Sequence, residues 1–210
     1  MASYTATQLR RALRKSGLNV TYAEGWDSKE IDPFGVSPYA GVMMHHTANG
    51  GAKGNNPSLY WQIRNTYYPV RAAHCNIGRD GLVTIIAARG SYHAGATTLP
   101  AGGIQLGKYW VGGSHGNRAT FGIEIESKGT NPTTKAKVTD VDGYTPEQIK
   151  AATILAATIC ELMGVDASCV LNHADWAPGR KNDTLLPRSW WQRRVKRHLR
   201  WQAAKRIVTG

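Results

Sequence analysis

The chain has 210 residues, 41% hydrophobic and 19% charged, which is the material of one ordinary domain with a real core. This balance excludes a disordered chain, and no apolar run reaches the ~18 residues of a membrane span. The formal net charge is +12, and eight of the Lys and Arg residues fall between Pro187 and Gly210, where there is no acid, so the basic character belongs to the C-terminal tail. Such a stripe suits an anionic partner: nucleic acid, a membrane surface or an anionic cell wall.

In chain order, Arg10, Arg11, Arg14 and Lys15 are followed by no apolar stretch, so no signal peptide is read at the N-terminus. Residues 5–16 read as a short helix with Leu9 and Leu13 on one face, and 24–40 as loop. Tyr39–His46 reads as a strand that ends in the loop chemistry of Thr47-Ala48-Asn49-Gly50-Gly51. Asn56-Pro57 opens a helix to about Asn65, with Asn56 as cap and Pro57 at its first position. Arg71–Ile77 and Leu82–Ala88 flank the Arg79-Asp80-Gly81 turn and make a hairpin. Residues 95–119 hold seven glycines without a period and read as a long surface loop. Thr120–Ser127 is a strand.

Thr145-Pro146-Glu147-Gln148 is a capping box with Pro at the first helical position. Ile149, Ala152, Ala156, Ile159 and Met163 follow at helical spacing until Gly164. Cys169–Asn172 is a strand leading into His173. Trp191, Val195, Leu199 and Gln202 give the tail a helical face. The whole implies an α/β domain, a mixed central β-sheet flanked by helices. Residues 1–186 form the domain, and 187–210 a basic, Trp-rich helix that either packs on it or serves as an attachment surface. Cys75, Cys160 and Cys169 are odd in number, far apart and without a CxxC pair, which fits buried thiols in a reducing compartment.

Two histidines stand at strand ends, His45 and His173, and Asp183 follows His173 by ten residues across a Pro178-Gly179 turn. Two imidazoles and one carboxylate make a three-ligand catalytic zinc set with one position left for water. Spacing alone leaves open the alternative that these are core histidines and an unrelated acid. Lys181 is placed to stabilise an oxyanion. On the Thr120–Ser127 strand, Phe121, Ile123 and Ile125 point one way and Glu124 and Glu126 the other, so either carboxylate can serve as a general base. Neither HExxH nor the Pro-Cys-x-x-Cys deaminase pattern is present.

Five segments occur in a telling order: His45-His46-Thr47-Ala48, Ala73-His74-Cys75-Asn76-Ile77-Gly78-Arg79-Asp80-Gly81, Tyr92-His93-Ala94-Gly95, Gly122-Ile123-Glu124, and His173 through Asp183. Across residues 40–185 the chain resembles the zinc-dependent N-acetylmuramoyl-L-alanine amidases, the amidase-2 and peptidoglycan-recognition-protein-like family. The resemblance implies one Zn2+ held by His45, His173 and Asp183, with Glu124 as general base and Lys181 as catalytic lysine. It implies Tyr92 and His93 as a substrate-facing pair, and Asn117 and His74 as site positions; His46 is a further substrate contact at the strand's mouth. Thr184 replaces a proline often found after the third ligand.

The activity implied is hydrolysis of the amide joining N-acetylmuramic acid to L-alanine in bacterial peptidoglycan. A phage endolysin is the leading context, held in the host cytoplasm until lysis and then at the cell wall, with anionic wall polymers as partners of the basic tail. The alternatives are a cytoplasmic muropeptide-recycling amidase, a non-catalytic peptidoglycan-binding module and, through the tail alone, a nucleic-acid binder. A basic helix by itself has little specificity for the last.

Overall fold

The computed structural model describes residues 4–28, 34–49, 53–64, 70–129 and 143–209. In chain order the elements are α1 (Ala6–Ser16), β1 (Val20–Tyr22), β2 (Gly41–His46), α2 (Leu59–Ile63), β3 (Cys75–Ile77), β4 (Val83–Ile85), β5 (Gly103–Leu106), β6 (Tyr109–Gly112), α3 (Gly116–Ala119), β7 (Thr120–Ile125), α4 (Pro146–Met163), β8 (Val170–Asn172), α5 (His173–Trp176) and α6 (Arg188–Thr209). Six strands form one sheet in the order β1-β4-β3-β7-β2-β8. All neighbours are parallel except the β3–β4 hairpin, so the sheet is mixed.

Side chains alternate across the strands and sort the sheet into two faces. Val42, Met44, Phe121, Ile123, Ile125, Cys75, Ile77 and Val170 point to one face, where α1, α4 and the first half of α6 cover them. The cover comes from Leu9 and Leu13, from the Ala152–Ile159 stripe, and from Trp191 and Val195. Met43 and Leu171 point to the other face and pack under Leu106, Val111, Ala119 and Trp176.

The capping box expected at Thr145 forms. Gln148 accepts the Thr145 N–H at 3.0 Å and Thr145 accepts the Gln148 N–H at 3.1 Å, satisfying donors that a helix start otherwise leaves open. Gln148 then donates its amide to the carbonyl of Glu126 at 2.7 Å, so the cap of α4 also fixes the end of β7.

Several boundaries differ from the sequence reading. Within 95–119, where one long loop was expected, residues 95–102 are irregular, but β5 and β6 form a hairpin and the short α3 follows it. The strands around Arg79-Asp80-Gly81 are three residues each, because regular pairing covers only Cys75–Ile77 against Val83–Ile85. The helix after Pro57 starts at Leu59, and its expected end at Asn65 lies outside the described residues. The tail's inner face is the one its spacing suggested: Trp191 and Val195 are fully buried, while Arg193, Lys196, Arg197 and Arg200 face outward.

Candidate active site

The parallel strands β2, β7 and β8 end at the same edge, where open α/β sheets place their ligand sites. The register sets His45 beside Glu124, and Met44 beside Asn172, so His173 comes level with His45 at the end of β8. His45 and Glu124 share the face of Met43, away from the α1–α4–α6 layer. Asp183 reaches the same point because the chain after α5 turns back on itself. The amides of Arg180 and Lys181 both donate to Ala177 O, and the Ala174 amide donates to Asp183 O at 2.7 Å.

Three atoms converge there. His45 Nδ1 lies 2.9 Å from His173 Nδ1 and 3.1 Å from Asp183 Oδ2, and His173 Nδ1 lies 3.2 Å from that same oxygen. Tetrahedral ligands at zinc distances of ~2.0–2.1 Å stand about 3.3 Å apart, so the triangle has a metal's dimensions. All three residues are buried.

The hydrogen bonds behind the triangle say which atoms carry protons. His173 Nε2 faces the carbonyl of Ala94 at 2.9 Å and must donate to it, which leaves Nδ1 bare in the neutral ring. His93 Nε2 likewise donates to Thr120 O at 3.0 Å, so His93 Nδ1 is an acceptor. His45 Nε2, 3.0 Å from that acceptor, must donate, and His45 Nδ1 is then bare as well. Burial, with the charge of His173 adding to it, lowers His45 to about 4, so its ring is neutral near pH 7. Burial would raise Asp183, but its contacts with His173 and His45 outweigh it and keep the carboxylate ionised. With both rings neutral, two imidazole lone pairs and a carboxylate lone pair face one point, a donor set that fits a divalent cation.

Around the triangle lies a groove of about 730 Å³ lined by Trp61, Tyr92, Glu124, Arg180, Lys181 and Asn49, among others. Glu124 is half-buried, and its Oε2 has no hydrogen-bond partner among the described residues. Burial raises it to about 8, with Asp183 pushing further up and Lys181 pulling down. Its neighbour Glu126 is spent elsewhere: it accepts from Ser58 N at 2.8 Å, and from Thr47 Oγ1, Ser58 Oγ and Asn76 Nδ2 at 3.0 Å each. Of the two carboxylates on this strand, only Glu124 has a lone pair to offer the groove.

The family model for N-acetylmuramoyl-L-alanine amidases matches residues 35–187, which contain the triangle, Glu124 and Lys181. The chain belongs to the N-acetylmuramoyl-L-alanine amidase family. Among solved structures it is similar to a selenomethionine derivative of AmpD, with 18% identity, a TM-score of 0.56, and coverage of 85% of this chain and 94% of that one. It is also similar to a mutant endolysin from Bacillus subtilis, with 17% identity, a TM-score of 0.52, and coverage of 85% and 99%. A third is AmpDh3 from Pseudomonas aeruginosa in complex with anhydromuramic pentapeptide, with 21% identity, a TM-score of 0.52, and coverage of 74% and 59%. At these identities the likeness speaks for the fold. No curated protein sequence matches the chain.

Within this amidase the residues anticipated around the site divide into two groups. His46, Tyr92 and His93 line the groove with Glu124, Lys181, His173 and Asp183, and His45 lies just beneath, in contact with the last two. His93 also orients His45 through the bond described above. It lies close over β7, and Gly122 is what permits this, since a Cβ there would stand 2.5 Å from the His93 ring. Asn117 and His74 are not among the groove-lining residues. Asn117 Oδ1 accepts the amides of His93, Ala94 and Gly95 at 3.0, 2.6 and 3.2 Å, and so shapes the segment that orients both ligand imidazoles. His74 is fully buried behind His93, with Nδ1 accepting from Gly122 N at 2.9 Å.

Two contributors were not singled out from sequence. Arg180 donates to Ala94 O at 3.1 Å and to Ala96 O at 2.6 Å, bracing the carbonyl that receives His173. Its place three residues before Asp183 was the available signal. Trp61 is half exposed on α2 and walls the groove; the adjacent aromatics Tyr60-Trp61 on a short helix were the hint.

Thr184, where a proline was the familiar residue, is a junction. Its hydroxyl lies 3.0 Å from Asn172 Oδ1 and 2.8 Å from Leu186 O, and it accepts the indole N–H of Trp191 at 3.0 Å. The helix beyond the family match therefore braces the residue next to Asp183. Trp191→Phe removes that donor together with about a third of a fully buried ring. It is expected to lower stability by about 2 kcal/mol, from the lost hydrogen bond and the cavity together, and thermal denaturation checks this.

Proposed function

We propose that this amidase is zinc-dependent and cuts the N-acetylmuramic acid–L-alanine bond in the intact wall, as a phage endolysin at host lysis. The observation that carries the zinc reading is the convergence of His45 Nδ1, His173 Nδ1 and Asp183 Oδ2 within 3.2 Å, each imidazole with its other nitrogen committed. Two nitrogens and one carboxylate are a catalytic zinc set. A bound zinc ion supplies Lewis-acid polarisation of a carbonyl and a water of pKa ~7.

The chain's own residues do the rest. Glu124, with Oε2 unengaged, takes a proton from water and returns it to the leaving amine. The Lys181 ammonium, on the groove wall, offsets negative charge developing at the scissile carbonyl. His93, Ala94 and Asn117 hold the ligand imidazoles so that no reorganisation is needed during the reaction. Trp61 and Tyr92 give the groove exposed aromatic walls along which a glycan strand and its peptide can lie.

That reach beyond the metal favours a polymeric substrate, and the reading puts the enzyme in the host cytoplasm before lysis and at the wall after it. Digestion of purified sacculi, followed by mass spectrometry, tests it. The expected products are free stem peptides beginning with L-alanine and glycan strands with unsubstituted lactyl groups. Turnover of sacculi should exceed that of soluble anhydromuropeptides. The reverse ratio would make it a recycling amidase, and absence of free stem peptides with zinc present would defeat the amide-cleavage reading.

A further inference from the structure

A second concavity lies on the helix-covered side of the sheet, whereas His45 and Glu124 project from the other face. It is a cleft of about 850 Å³ bounded by α1, the end of α4 and the last turns of α6. Four cations line it, Arg11 and Lys15 from α1 and Lys205 and Arg206 from α6, against one carboxylate, Glu161. Glu161 is taken up by Arg206. Arg11 and Lys15 form no ion pair among the described residues. The sequence credited the positive surface to the tail, but the fold makes it composite by bringing α1 alongside.

The remaining lining narrows the chemistry. Trp201 is 56% exposed and presents its ring to the cleft, with Lys205 Nζ 5.2 Å from its centroid. Gln202 also lines the cleft, and its Oε1 is buried without a partner among the described residues. Cations suit phosphodiesters, an aromatic face suits the C–H surface of a sugar or polyol, and an idle carbonyl oxygen suits a hydroxyl donor. A flat lipid surface does not enter a concave cleft. The outward side of α6 also mixes Arg193, Arg197 and Arg200 with Ile207, so it offers no separate apolar stripe for a bilayer.

We infer that this cleft binds a phosphodiester-linked polyol or sugar polymer of the cell wall. The choice of a wall polymer rests on the peptidoglycan reading; the charge and shape of the cleft do not. A polymer tethered to the substrate and held at the back of the enzyme would keep the catalytic groove at a high effective concentration of amide bonds, an avidity gain of order 10²–10⁴.

The test uses the full chain, with poly(glycerol phosphate) as the soluble probe and sacculi either bearing or chemically stripped of their phosphodiester polymer. Wild type is expected to bind polymer-bearing sacculi at least tenfold more tightly than stripped ones. The variant Arg11→Glu/Lys15→Glu/Lys205→Glu should lose that preference and bind poly(glycerol phosphate) at least tenfold more weakly. The milder Arg11→Gln/Lys15→Gln pair should move in the same direction with an unchanged circular dichroism spectrum. Trp201→Ala should cost a further few-fold at unchanged salt dependence, since it carries no charge. Hydrolysis of a soluble muropeptide should be untouched in all of them, and that rate reports the amidase reading separately. Equal sedimentation with both kinds of sacculi would overturn the inference. So would tighter binding of single-stranded DNA or phosphatidylglycerol vesicles than of the polymer, or full polymer affinity in the triple variant.

Discussion

Replacing Glu124 by Gln is expected to lower kcat/KM about a thousandfold, in the middle of the range for loss of a positioned proton carrier, and to leave zinc binding as in wild type. The amide is isosteric with the carboxylic acid, so the groove keeps its shape and only the proton acceptor is lost. The alternative donor of base function, Glu126, cannot substitute, because four hydrogen bonds already hold its two oxygens. The pH dependence should carry the same signature. Burial raises Glu124 to about 8 from the ordinary 4.5 of a glutamate, and a cation in the adjacent triangle acts the other way. The base works when deprotonated, so activity rises with pH through an acid limb lying between these two values, and the Gln variant lacks that limb.

Linkage adds a second readout. A carboxyl whose folded-state pKa is raised costs stability once the unfolded chain releases its proton first. In the metal-free protein, stability should therefore fall as pH climbs from 4.5 towards 8. Glu124→Gln should flatten that fall and melt higher than wild type near pH 8. Activity lost while stability is gained, at one residue, separates a poised base from a structural acid, whose removal would lower both.

How much of this was readable beforehand depended on whether the deciding forces were local. His45 and His173 end strands made of short apolar runs, and parallel register then carries them to one edge together with Glu124. Strand periodicity alone predicts which face Glu124 shares. The capping box at Thr145 is likewise local chemistry, and it forms; the one at Thr5 follows the same rule, though only the helix behind it was read from the sequence.

The β5–β6 hairpin was illegible for a definite reason. Gly103 and Gly112 pair within the ladder and replace the side chains that would have shown alternation, and the turn depends on Gly107 at φ 57°. A Cβ on Gly103 would meet Val111 O at 2.4 Å, so close backbone approach dictates the residue and erases the pattern. β1 was missed because three residues, Val20–Tyr22, are too few to show a period. The duties of Asn117 and His74 follow from contacts across more than 15 residues of chain, which spacing does not encode. The same holds for the cleft behind the sheet: the charges of Arg11 and Lys15 were visible, but their proximity to Lys205 was not.

The most severe loss is expected at the third corner of the triangle. Asp183→Ala should abolish measurable amidase activity and weaken zinc binding by about 10²–10³, scaling from the affinity of four-ligand structural sites shared among their ligands. Among the described residues Asp183 is the one carboxylate in contact with the two imidazole nitrogens, so its removal takes away both a candidate ligand and the charge that would offset the cation. Asp183→Cys should retain zinc, since a thiolate is an equally good ligand, while changing the rate. Thermal denaturation separates this from general damage. On the zinc reading, wild type should gain stability on zinc addition, because the ion would bind only the folded triangle. Asp183→Ala should lose that gain while still unfolding cooperatively, its metal-free form melting somewhat lower than metal-free wild type because the contacts that hold Asp183 ionised are gone. A variant that kept both zinc and turnover would mean that the metal sits somewhere other than between His45, His173 and Asp183, and Glu124 would then have no reacting centre beside it.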